Sequence, residues 1–188
     1  MADFALAPEY MDKTAVPQDD RYAVLSPGDH WAMLGSSTAL YMQDVAKGAY
    51  RNGSLGNIGG VETFMSQNVP THTVGVATGT PLVKGASQNV AYADVKDTGT
   101  QSLATDGWTA SQTGILKAGD VFTIANVYAV NPVTKATLPF LRQFVVRADA
   151  DSGASTGDAT LTISPPIITS GAFKTCSAAP ADNAAITV

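Results

Sequence analysis

The chain has 188 residues, a formal net charge of -5 and 45% hydrophobic residues, enough apolar content to pack one or two domains. Only 14% of its residues are charged, well under the usual quarter, and no block of Lys or Arg stands out, which excludes nucleic-acid binding through a basic face. The lone cysteine, Cys176, excludes an internal disulfide framework.

In chain order, Phe4, Leu6, Tyr10, Met11 and Ala15 fall at helical spacing, with Pro8 limiting the predicted helix to its second half. No apolar run reaches the roughly 18 residues of a membrane span, and Met1-Ala2-Asp3-Phe4 lacks the basic-then-apolar pattern of a signal peptide. A turn over residues 16–20 leads to a short strand, 21–25, with Tyr22 and Val24 on one face. Ser26-Pro27-Gly28-Asp29 predicts a helix start: a serine cap, proline in the first turn and an early carboxylate. That helix should pass Trp31 and Leu34 and stop near Gly35. A second helix is expected over about 38–49, with Leu40, Tyr41 and Val45 as its apolar face.

Residues 52–70 read as turn, strand, glycine turn, strand, stop. Asn52-Gly53 and Gly59-Gly60 supply the turns. Val61, Thr63 and Met65 alternate with Glu62, Phe64 and Ser66, and Pro70 should end the strand. From 71 to 165 no helical periodicity is evident, and short strands separated by turn signals predict a small β-sandwich or barrel. The strand over 121–130 should place Phe122, Ile124, Tyr128 and Val130 in the core. Asn131-Pro132 breaks it, and 133–139 should connect to a strand over 140–147. A polar loop covers 149–158, and the strand over 159–164 points Leu161 and Ile163 inward. Residues 81–83, 89–93 and 114–116 are weaker strand candidates, and Trp108 is the large residue expected to fill the barrel. After Pro165-Pro166 come short apolar runs, and the stop on Val188 without a polar tail reads as an end within a longer protein.

No residue pattern carries chemistry. His30, His72 and Cys176 do not have metal-ligand spacing; His30 is expected on a helix surface and His72 at a polar junction. Asp149-Ala150-Asp151-Ser152-Gly153 lacks the sixth-position glycine and terminal glutamate of a calcium loop, so a solvated hairpin loop is expected. Asp19-Asp20 followed by Arg21 predicts a turn with a local ion pair. Gly56-Asn57-Ile58-Gly59-Gly60 has no lysine and leads into a strand, so it is no phosphate cradle, and nucleophile-elbow, Walker and dinucleotide patterns do not occur. Lys174 near Cys176 would favour its thiolate, yet a plain small residue is the expectation there. No catalytic, cofactor-binding or metal-binding residue is therefore assigned, no cofactor is expected, and the reading is not enzymatic.

Several separated segments together resemble the P22-type branch of tailed-phage major capsid proteins, whose fold is HK97-like. They are Val16-Pro17, Asp20-Arg21-Tyr22 and Leu25-Ser26-Pro27; Asn52-Gly53, Gly59-Gly60 and Ser66-Gln67-Asn68-Val69-Pro70; the run from Gly119 through Val127; Ala129-Val130-Asn131-Pro132; Gln143-Phe144-Val145-Val146; and Ile163-Ser164-Pro165-Pro166-Ile167. The resemblance implies an α+β chain: a partial capsid core, residues 1–70 and 166–188, interrupted by an all-β Greek-key or Ig-like insertion domain, 71–165. It implies self-assembly into an icosahedral head in the bacterial cytoplasm, localisation in the virion, and contacts with copies of itself in capsomers, with scaffolding protein and with portal. It implies no membrane partner and no sequence-specific nucleic-acid binding. It makes loops 131–139 and 149–158 candidate contact loops, and it implies further segments at both ends, including an N-terminal arm and most of a spine helix. A β-sandwich adhesion module over 71–165 is the alternative; the helical first third fits it poorly, and the sequence shows no cluster of exposed aromatics.

Overall fold

In the computed structural model of the protein, residues 2–37 and 55–188 are described. The helix expected over 38–49 and the Asn52-Gly53 turn lie outside them. The chain forms two compact units, Met1–Thr71 and His72–Val188.

The first unit opens with α1 (Ala2–Lys13), a helix that runs through Pro8 instead of starting after it. Its C-terminus shows why the next turn is sharp. Val16 N–H donates to the Met11 carbonyl (3.0 Å) and Ala15 N–H to the Asp12 carbonyl (3.2 Å), the paired bonds of a Schellman stop. Ala15 takes the left-handed conformation there, φ 59°, where its Cβ is a steric cost and glycine would have none. Ala15→Gly is therefore expected to stabilise this unit by about 1 kcal/mol, measurable as a higher denaturant midpoint. An unchanged or lower midpoint would show that the position is unstrained.

Strand β1 (Tyr22–Leu25) is followed by α2 (Pro27–Ser37). Asp29 N–H donates to Ser26 Oγ (3.2 Å) and Ser26 Oγ–H donates to the Asp29 carboxylate (2.7 Å), so the serine caps the helix and the carboxylate orients its hydroxyl. The helix continues past Gly35 to Ser37; a lone glycine costs about 1 kcal/mol against alanine and does not by itself stop a helix. Strands β2 (Asn57–Ile58) and β3 (Val61–Met65) form a tight hairpin, Gly59 (φ 59°) and Gly60 (φ 80°) occupying its two turn positions and Gly60 N–H bonding Asn57 Oδ1 (3.0 Å). Both turn residues need positive φ, which is why glycine stands at each. The strand ends at Met65, short of Pro70. The sheet order is β1-β3-β2, with β1 parallel to β3. Met33, Leu34 and Leu55 form the small core, with Phe4, Leu25 and Ile58 packed against it.

The second unit carries six strands: β4 (Gly79–Val83), β5 (Gln101–Trp108), β6 (Val121–Val130), β7 (Thr137–Val146), β8 (Ala159–Ser164) and β9 (Ile186–Thr187). The order is β4-β5-β8-β7-β6-β9, antiparallel throughout. The meander β6-β7-β8 returns its last strand beside β5, a Greek-key connection. The two outer strands meet: Leu82 bridges Ala185, Val83 N–H donates to the Ala184 carbonyl (3.0 Å), and Asn183 N–H donates to the Val83 carbonyl (2.9 Å). The sheet thus closes on itself around a core that includes Leu103, Trp108, Phe122, Ile124, Phe144, Leu161, Ile163 and Ile186.

This closure corrects the expected domain division. Residues 166–188, expected with 1–70, lie in the second unit, because Ile186 pairs with Ile124, Thr187 with Thr123, and Ala129 bridges Cys176. Their apolar side chains Ile167, Cys176 and Ile186 belong to the barrel core.

Within the barrel, β6 departs from simple alternation. Phe122 and Ile124 point inward, but Asn126 takes φ 63° and the register to β7 shifts there. A bulge moves the inward phase by one residue. Val127 and Ala129 are consequently buried and Tyr128 faces out, contrary to the expectation for Tyr128. Strand β7 starts at Thr137, so the connection is 131–136, and Pro139 lies within the strand. Strand β8 pairs with β7 only at Val145 and Val146. Pro139 therefore sits in the part of β7 that reaches beyond β8, where a missing N–H breaks no ladder bond on that side. Residues 89–93 form no strand; a one-turn helix, α3 (Tyr92–Val95), stands there instead. Ile115 and Leu116 are fully buried but make only an isolated bridge, Leu116 to Ala150.

Candidate functional site

Three places concentrate polar or exposed apolar groups: the Asp120 cluster, the loop 149–158 and a set of solvent-facing aromatics. The Asp120 side chain is 1% exposed. Its Oδ1 lies 2.8 Å from His72 Nε2, and its Oδ2 accepts N–H bonds from Lys117 (2.8 Å) and Gly75 (2.9 Å). Burial alone would raise the carboxyl pKa, but these donors outweigh it and hold Asp120 below the ordinary aspartate value. Because the native value is the lower one, the contribution of Asp120 is complete above the unfolded-chain value of about 4 and is lost as pH falls through the native value. An acid titration followed through the buried Trp108 should show the second unit weakening below about pH 4. An Asp120→Asn variant should show a shallower acid dependence; the same slope in both proteins would assign the effect to other carboxylates.

The loop 149–158 is not the solvated hairpin expected. Ala118 N–H donates to Asp149 Oδ1 (2.9 Å), Gly114 N–H to Asp151 Oδ1 (2.6 Å) and Gln112 N–H to Ser152 Oγ (2.8 Å). The carboxylates are occupied by backbone donors of 112–118, so the loop is docked onto that segment. The same loop brings Gly157, φ 65°, against the Trp108 backbone, and Trp108 Nε1–H donates to the buried Thr105 hydroxyl (2.8 Å). Among the described residues no group of three or more His, Cys, Asp or Glu could hold a metal ion.

The remaining sequence candidates have structural places. Arg21 pairs with Asp12 (2.8 Å), not with Asp19 or Asp20, and donates to the Val16 and Pro17 carbonyls. The Arg21 hydrogen bond, joined by one from Gln18, holds the Asp12 carboxyl below its ordinary value. His30 is buried, not on the helix surface as expected. Cys176 is fully buried, and burial raises its thiol pKa despite the neighbouring Thr175 hydroxyl and the charges of Arg142 and Lys174; it is an inert core residue.

Exposed apolar side chains are the feature that local sequence reading missed. Tyr92 and Phe173 stack at 3.7 Å with a 10° interplanar angle, both solvent-facing. In the first unit Tyr22, Val24 and Phe64 share the outward face of β1 and β3, Val24 opposite Phe64 and the two rings 6.0 Å apart. At the tip of the β6–β7 hairpin Val133 is 79% exposed, on a turn where Asn131 Oδ1 accepts the Val133 and Thr134 N–H groups. Packing of distant segments creates the Tyr92–Phe173 and Tyr22–Phe64 patches, so no local motif announces them. None of them is a catalytic arrangement. They are surfaces and anchors.

Over 139 residues, 73% of the chain, it is 30% identical to a major capsid protein of Acyrthosiphon pisum secondary endosymbiont phage 1; the match spans 33% of that relative. A solved structure, the CUS-3 coat protein I-domain, is 30% identical, with 58% of this chain and 95% of that one covered at a TM-score of 0.38. The family model described as "P22 coat protein - gene protein 5" matches residues 1–188. The chain belongs to the P22 coat protein family.

Proposed function

We propose that this chain supplies part of a major capsid subunit and works by self-assembly into a phage head, a structural and non-catalytic role. The observation that carries the reading is the match of the coat protein family over residues 1–188. In this reading residues 1–70 are a piece of an HK97-like capsid core, and the barrel that follows is the inserted domain. Copies of the same subunit are its main partners, with scaffolding protein and portal as further ones, and assembly takes place in the bacterial cytoplasm. Repeated contacts between identical subunits suit a chain with low charge and exposed apolar side chains on rigid strands.

Two loops are the candidate contacts. Of these, 131–136 offers the cleaner test, because 149–158 accepts hydrogen bonds from the 112–118 backbone and brings Gly157 against Trp108, so its loss would disturb the unit. Peptides from this chain should dominate the shell fraction of purified heads from a culture that produces it. Their absence from the shell would overturn the proposal. Exchange of 131–136 for a two-residue turn should lower particle yield while leaving the subunit folded; normal yield would remove that loop from the contacts.

A further inference from the structure

The leading residues of the barrel unit are held in an unusual way. The segment 72–77 belongs to no strand, yet it lies along 114–116: Val76 N–H donates to the Gly114 carbonyl (3.0 Å) and Ala77 N–H to the Ile115 carbonyl (2.9 Å). Val74 and Val76 point to solvent, at 68% and 56% exposure. Ala77 alone of this segment packs, partly buried, against the barrel core. Little apolar burial therefore fixes the segment. What fixes it is the Asp120 carboxylate, which takes His72 on one oxygen and Gly75 N–H on the other.

Asp120 is itself rigidly placed. Its backbone N–H donates to the Lys117 carbonyl (2.9 Å), its carbonyl accepts from Val146 N–H (2.9 Å), and Gly119 N–H donates to the Val146 carbonyl (2.8 Å). The carboxylate is thus anchored to β7 and stays in place whether or not the segment above it is seated. Close approach is needed for that seating: a Cβ on Gly75 would lie 2.5 Å from the Ile115 carbonyl oxygen. A segment secured by a few hydrogen bonds and almost no apolar area opens at lower free energy than the strands beneath it.

We propose that residues 72–77 form a strap that seats and lifts as a unit over Ile115 and Leu116, latched by the Asp120 carboxylate. Lifting it leaves the closed sheet intact and frees the Gly114 and Ile115 carbonyls. The latch therefore controls a local opening of the barrel unit, a property that goes beyond the capsid reading and does not depend on it.

Hydrogen exchange on the full chain tests this. Gly75→Ala blocks seating without touching the carboxylate, and His72→Ala removes one latch bond from an exposed position. The Val76 and Ala77 amides should exchange at least about tenfold faster in Gly75→Ala, and several-fold faster in His72→Ala. The Leu161 and Ile163 amides of β8 should keep their wild-type rates in both. If the β8 amides accelerate together with the strap, the strap is an integral part of the barrel and the proposal is overturned. Unchanged Val76 and Ala77 rates in Gly75→Ala would overturn it equally.

Discussion

Phe144→Ala is expected to lower the stability of the barrel unit by about 3–5 kcal/mol. Phe144 is fully buried on β7 directly opposite Phe122 on β6, the two rings 5.7 Å apart and tilted by 30°. Both side chains belong to the same enclosed core, so truncation removes the transfer free energy of the ring and leaves a void that a closed sheet can fill only in part. Urea unfolding followed by Trp108 fluorescence reports this unit, since Trp31, the other tryptophan, is solvent-exposed. Val133→Ala, at the exposed hairpin tip, is the control and should change stability by no more than about 0.5 kcal/mol. A Phe144→Ala cost below about 1 kcal/mol would mean that the ring does not occupy the core.

The second large effect is expected at Gly157. A Cβ there would stand 2.0 Å from the Trp108 carbonyl oxygen and 2.9 Å from its carbonyl carbon, at φ 65°. The obstacle is backbone, which cannot rotate aside as a side chain could. Gly157→Ala must separate the 149–158 loop from the end of β5, losing the Trp108 N–H bond to the Gly157 carbonyl and adding left-handed strain. A cost of about 3 kcal/mol or more follows. Gly171 is the matched control. It also has positive φ, 79°, but nothing lies within 4 Å of its added Cβ, so Gly171→Ala should cost only about 1 kcal/mol. The difference between the two midpoints measures the close approach itself; equal costs would show that the loop yields.

The contrast between these glycines explains what local sequence could reveal. Gly59-Gly60 is legible because its two-residue turn is decided by neighbours in the chain, and the structure has that hairpin. The requirement at Gly157 comes from Trp108, far away in sequence, and leaves no local trace. Strand β6 teaches the same point. Alternation correctly marks Phe122 and Ile124, but a bulge at Asn126 reverses the phase and sends Tyr128 outward. Asparagine tolerates the left-handed conformation better than most residues, yet its presence in a strand is weak evidence for a bulge before the partner strand is known.

The site was less legible than the fold. Gly119-Asp120 reads as a turn, which it is, but the buried carboxylate's partners at 72 and 75 arrive from another part of the chain. The stacked Tyr92 and Phe173 likewise meet only after folding. The place of the closing segment 166–188 is hidden from local sequence for a related reason: its apolar runs fit either a capsid core or the barrel, and only the pairing of Ile186 with Ile124 decides.

The bridge between Leu82 and Ala185 has a consequence for how the protein is made. The six-stranded sheet has no completed edge until the residues around 183–187 reach β4 and β6. During synthesis β4 and β6 emerge first and expose unpaired backbone groups until those late residues leave the ribosome. Such edges template pairing with other nascent chains, and closure over so long a sequence separation is slow. Newly made copies are therefore vulnerable for a window that closes when β9 pairs with β6.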